Sequence, residues 1–157
     1  MNNEDYVSYE LALKLKACGF DEPCNYGYSV KMRLEPEVSF GEPKMVHSKA
    51  QKNYNDNRKG IEKGLSFCSA PTLAHAQKWL REGAMLHVGA YPAVPTRKWH
   101  FYIDDLNQHV NPHDGELITR WDENMQEKAD ERLYDSYECA LSAGIYAALE
   151  LIEQEKK

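Results

Sequence analysis

DSYECALSAGIYAALELIEQ, residues 135–154, places Tyr137, Leu141, Ile145, Ala148, Leu149 and Ile152 at helical spacing, with Ala140, Ala147 and Leu151 beside them. Asp135 followed three residues later by Glu138 is a capping-box pattern, so the sequence predicts the start of this helix as well as its apolar face. Tyr137, Leu141, Ile145, Leu149 and Ile152 each contribute about 1.5–3 kcal/mol on full burial. Such a face needs a surface to pack on, and the segments upstream supply strands.

Leu86, Val88 and Ala90 alternate with His87, Gly89 and Tyr91. After a proline-containing turn at 92–96, Trp99, Phe101 and Ile103 alternate with Lys98, His100, Tyr102 and Asp104. This predicts a β-hairpin at about 85–104 with one strongly apolar face. Further upstream, Leu65–Cys68 reads as a short strand. SAPTLAHAQKWLREG follows, with Pro71 near the start and Gly83 past the end of a helix whose Leu73, Ala76, Trp79 and Leu80 share a face. At the other end of the chain, Ser8 is a good N-cap. Leu11, Leu15 and Cys18 line one face, Gly19 suits the C′ position, and Phe20 is placed to fold back onto Leu15. Tyr28, Val30, Met32 and Leu34 then alternate with Ser29, Lys31 and Arg33 as a half-buried strand.

The reading is an α+β fold. A small antiparallel sheet of three to four strands, including the hairpin, is packed on one face by helices at about 8–18, 71–82 and 136–154. A chain of 157 residues is expected to form a single domain, large enough to bury about 70% of its unfolded surface. Residues 41–64 are polar, rich in lysine and arginine and weakly periodic, and read as a long loop. Residues 107–133 read as a polar insertion, with a strand at Leu117–Trp121 and a helical turn around Gln126–Arg132.

The net charge of −6 argues against a nonspecific nucleic-acid binder, because phosphate contact needs a basic surface. The opening MNNEDYVSYE is acidic and has no apolar core, so no signal peptide is expected, and no apolar run approaches a membrane span. A cytoplasmic protein with free thiols at Cys18, Cys24, Cys68 and Cys139 is therefore expected, in which no C-x-x-C pair supports a zinc ribbon.

Three stretches, SYELALKLKACGFDEPC (8–24), APTLAHAQKWLRE (70–82) and YDSYECALSAGIYAALELI (134–152), resemble an uncharacterised family of small proteins carried by phages and mobile elements of gut bacteria. The order of the segments matches as well, with the hairpin carrying Lys98, Trp99 and Tyr102 before the final helix. The resemblance covers about a third of the chain and omits residues 41–64 and 107–133. It implies a fold and a genomic setting, and it supplies no catalytic residues.

Several residue sets invite chemistry. His109 and His113 have the spacing of a metal pair, and Asp114 and His100 are available to complete a site. Asn111-Pro112 lies between the two histidines, however, and breaks the helix such a pair relies on. Asp104-Asp105 at a strand exit suits a divalent ion or acid–base work, and equally suits turn chemistry. Cys139, in the first turn of the last helix, reads as a buried inert thiol, and Cys24, after Pro23, as an exposed turn residue. Lys44, Lys49, Lys52, Arg58, Lys59 and Lys63, interleaved with His47 and Tyr54, form a basic stretch able to touch phosphate or a base, or simply a solvated loop. His87, Tyr91, His100 and Tyr102 make the hairpin's second face aromatic and polar, a composition favoured in protein interfaces.

No phosphate-binding loop, nucleophile elbow or H-E-x-x-H motif occurs. The sequence reading is a non-enzymatic interaction module of phage or mobile-element origin, without cofactor, metal or membrane. It would bind a host or phage macromolecule, a protein in the first instance, through His87, Tyr91, His100 and Tyr102 or through the basic loop with Lys49, Lys52, Arg58 and Lys59. The alternatives are a nucleic-acid accessory protein working through residues 44–63 (Lys49, Lys52, Arg58 and Lys59 among them), which net charge disfavours, and a metal-dependent or thiol enzyme.

Overall fold

The computed structural model describes residues 5–34, 37–56, 64–106 and 133–155. Among them three helices and five strands run in the order α1 (Tyr9–Ala17), β1 (Cys24–Leu34), β2 (Glu37–Lys52), β3 (Leu65–Ser69), α2 (Leu73–Gly83), β4 (Leu86–Ala93), β5 (Lys98–Asp105) and α3 (Tyr137–Glu155). The α+β class, the three helices and the hairpin agree with the sequence reading. The strands, however, pair as two antiparallel sheets, β2-β1-β3 and β4-β5, where a single sheet is expected. The chain accordingly forms two compact units, Tyr6–Thr72 on one hand and Leu73–Lys157 with the first five residues on the other.

In the unit of residues 6–72, α1 begins where Ser8 Oγ accepts from the Leu11 N–H at 3.2 Å. It ends in a Schellman motif. Gly19 takes φ +93°, its N–H donates to Lys16 O at 3.1 Å, and the Phe20 N–H donates to Leu15 O at 2.9 Å. Leu11, Ala12, Leu15 and Phe20 are all buried. The central strand β1 turns Tyr28 and Val30 to the face that α1 covers. There Tyr28 Oη donates to Val7 O at 2.7 Å and its ring lies 5.6 Å from that of Tyr9.

Residues 41–52, expected as loop, belong to the sixteen-residue strand β2. Two irregularities explain why no period of two shows there. Ser29 pairs with Lys44 but Lys31 with Phe40, and Tyr26 pairs with His47 but Cys24 with Lys52. The first shift inserts two extra residues on β2 and interrupts its alternation, and the second inserts three and reverses it. Glycine at 41 (φ +86°) and Pro43 sit in the first irregularity. Asn25 fills the second, donating to Ser48 O at 3.1 Å and Lys49 O at 3.3 Å while accepting from Gln51 Nε2 at 3.2 Å. Most β2 side chains from Val38 onward are exposed, so burial imposes no pattern either.

In the other unit, Leu86, Val88 and Ile103 on the apolar face of the hairpin are fully buried, with α2 and α3 packed against it. The buried stripe of α3 is Ala140, Leu141, Gly144, Ile145, Ala148 and Leu149. Tyr137, expected on that face, is 39% exposed and packs edge-on to Trp99 instead. Gly144 is the contact point, because a Cβ there would lie 2.7 Å from Val88 Cγ1 and 3.0 Å from Phe101 Cβ. The helix is capped by Ser136, whose Oγ accepts from the Cys139 N–H at 3.1 Å. Asp135, read as the cap, pairs instead with Lys98 at 2.9 Å. The expected strand and turn within 107–133 lie outside the described residues, apart from Leu133. No helix among the described residues is long and apolar enough to cross a membrane.

Candidate functional site

The β4–β5 register determines which side chains share the hairpin's second face. His87 pairs with Asp104, Gly89 with Tyr102, and Tyr91 with His100. Directly paired residues project to the same side, so these form one row of rings opposite the helices. The apolar side is anchored by α3 at Gly144 and by α2 through Gln77, whose Nε2 donates to Val88 O at 2.6 Å. The strands that carry the row are thereby held from behind.

The rings touch in sequence. Centroids are 5.8 Å apart for His87 and Tyr102, 6.1 Å for Tyr102 and Tyr91, and 5.1 Å for Tyr91 and His100. Gly89 makes this possible, since any side chain at 89 would meet the Tyr102 ring. Tyr91 is 42% exposed, while His87, His100 and Tyr102 are half-buried. Tyr102 Oη lies 3.5 Å from His87 Nε2, and His87 Nδ1 is enclosed with no partner among the described residues. His100 Nδ1 is enclosed in the same way. The four side chains singled out by alternation thus form one surface, suited to contact through ring faces and edges.

The other sequence candidates fare differently. Lys49 and Lys52 are exposed, but on strand β2 rather than a loop. Arg58, Lys59 and Lys63 lie outside the described residues, as do His109, His113 and Asp114. Tyr54, read as a ring available for stacking, is 1% exposed. It lies against Gly27, its Oη donates to Asn25 O at 3.1 Å, and its N–H donates to Ser69 Oγ at 3.0 Å. His47 packs on Tyr26 at 4.7 Å.

The two cysteine expectations are reversed. Cys24 is buried, because it opens β1 rather than ending a turn, and Cys139 is exposed, because the buried stripe of α3 begins at Ala140. Burial raises the Cys24 thiol to about 11; Glu22 adds to this and a hydrogen bond from Ser69 opposes it. Burial likewise raises Cys68 to about 11, against the opposing charge of Lys16. Both are neutral thiols at neutral pH and poor nucleophiles. Among the described residues no group of three or more His, Cys, Asp or Glu is arranged to hold a metal ion.

A second surface escaped the sequence reading. Lys31 and Arg33 are legible as the polar positions of β1, but of their neighbours Lys44 lies in the stretch read as loop, and Val38 and Phe40 fall in no predicted element. Only the register of β2 brings them together. No family model matches the chain, and neither curated proteins nor solved structures yield a match.

Proposed function

We propose that the chain is a small non-enzymatic interaction module, of the kind carried by phages and mobile elements, that docks a host or phage protein on the ring-lined face of the β4–β5 hairpin. The carrying observation is the convergence of His87, Tyr91, His100 and Tyr102 into one contiguous row with Tyr91 exposed. Rings held by their neighbours lose little conformational freedom on binding, which is why tyrosine is effective at interface centres. The buried, neutral thiol of Cys24 is a poor nucleophile, which weighs against that candidate of the thiol-enzyme alternative.

The test is affinity capture from host lysate with nuclease present, using the wild type and Tyr91→Ala in parallel. The expected result is a stoichiometric protein held by the wild type and lost from the variant, at unchanged far-UV circular dichroism. If every captured protein binds the two equally, the hairpin face is not the docking surface.

A further inference from the structure

We propose that the exposed face of the three-stranded sheet binds single-stranded nucleic acid, independently of the hairpin surface. The pairing of Ser29 with Lys44 and Phe67, of Lys31 with Phe40 and Leu65, and of Arg33 with Val38 puts all these residues on the side of the sheet opposite α1. Lys31, Arg33 and Lys44 are exposed, and Phe40 and Val38 are each 52% exposed. None of the paired positions on this face is acidic. Among the residues whose side chains are described, which exclude Glu37, no carboxylate forms an ion pair with Lys31, Arg33 or Lys44.

The charge of the whole chain conceals this. Residues 6–72 carry ten lysines and arginines against eight aspartates and glutamates, whereas the rest of the chain carries nine against seventeen. The cations lie beside a half-exposed phenylalanine on the outer strand β2. Lys31 and Arg33 are two positions apart on one strand, about 7 Å, and Phe40 stands on the adjacent strand about 5 Å from Lys31. One end of the face is closed by Tyr54 over Gly27, and there Lys52 Nζ sits 4.7 Å above the Tyr54 ring, adding a cation at the boundary.

An exposed ring beside exposed cations matches a ligand that offers flat π-faces along an anionic backbone. Duplex fits less well. Its bases are already stacked, which leaves Phe40 without a partner, and a sheet of three strands is wider than the two-stranded ribbon the major groove admits. An acidic peptide satisfies the lysines but gives Phe40 nothing to stack on.

The experiment is fluorescence anisotropy of the full chain with a labelled twelve-nucleotide oligo-dT, across a salt series, for wild type, Phe40→Ala and the pair Lys31→Gln/Lys44→Gln. Wild type is expected to bind, with affinity falling as salt rises. Phe40→Ala should weaken binding at least about fivefold, the low end for loss of one aromatic stacking partner. The lysine pair should reduce the slope of log affinity against log salt by about 1.4. Tyr91→Ala should bind like wild type. No binding at low salt, equal binding by Phe40→Ala, tighter binding of duplex of the same length, or equal competition by poly-glutamate would each overturn the proposal.

Discussion

At the residue scale, the buried thiols make a prediction about pH. Cys24 and Cys68 are raised from an ordinary 9.0 to about 11 by burial. A group whose folded value is raised holds its proton longer in the native state, so the unfolded chain deprotonates first. The associated stability is complete below about pH 9 and is lost as pH rises toward 11. Tyr9, Tyr28 and Tyr54, also raised by burial, act in the same direction at the upper end of that window. Urea unfolding between pH 8 and 11 is therefore expected to show falling stability, with a shallower fall in Cys24→Ala/Cys68→Ala. An unchanged slope in that variant would assign the effect elsewhere. Single residues were the least legible level of the sequence. Ser8, Gly19 and Phe20 could be placed because capping depends on neighbours in the chain. Cys24 and Cys139 were exchanged in burial because that depends on strand pairing and helix rotation. Asp135 was read as a cap one position early, where Ser136 supplies the oxygen and Asp135 meets Lys98 across the fold.

At the element scale, Gly144 separates two effects that oppose each other. Replacing glycine by alanine inside a helix ordinarily gains about 1 kcal/mol. Here the added methyl enters the contact of α3 with Val88 and Phe101, at distances of 2.7 and 3.0 Å. Overpacking costs about 1–3 kcal/mol. Gly144→Ala should therefore lower stability in chemical denaturation despite its better propensity, and a gain would mean that α3 shifts freely over the hairpin. The elements themselves were largely legible where one face is buried. The hairpin's alternation survives because α2 and α3 cover Leu86, Val88 and Ile103, and its second face, His87 to Tyr102, could be listed residue by residue. β2 was not legible because its exposed side chains and two register shifts remove the signal that alternation reads. The sheet face bearing Phe40 was hidden with it.

At the scale of the whole molecule, two sheets in two compact units replace the one expected. Leu15, in the unit of residues 6–72, is fully buried, and its truncation to alanine should cost about 2–5 kcal/mol. Of the described residues, the tryptophans Trp79 and Trp99 both belong to the other unit, so in a Trp121→Phe background the tryptophan fluorescence follows that unit. Leu15→Ala is expected to move the circular-dichroism transition to lower denaturant and leave the tryptophan midpoint in place. Midpoints that move together would show that the units unfold as one. The division was not visible in the sequence because residue patterns show which strands exist and which face each buries, not which strands pair. The outer position of β2 has a last consequence. A straight strand of sixteen residues at a sheet margin is a template on which further chains can add, the route by which fibrils grow. Here the margin is bent twice, Pro43 withholds a donor, and Lys44, Lys49 and Lys52 set like charges against any incoming copy. The irregularities that hide this strand from a reader of the sequence also guard the concentrated protein against polymerising edge to edge.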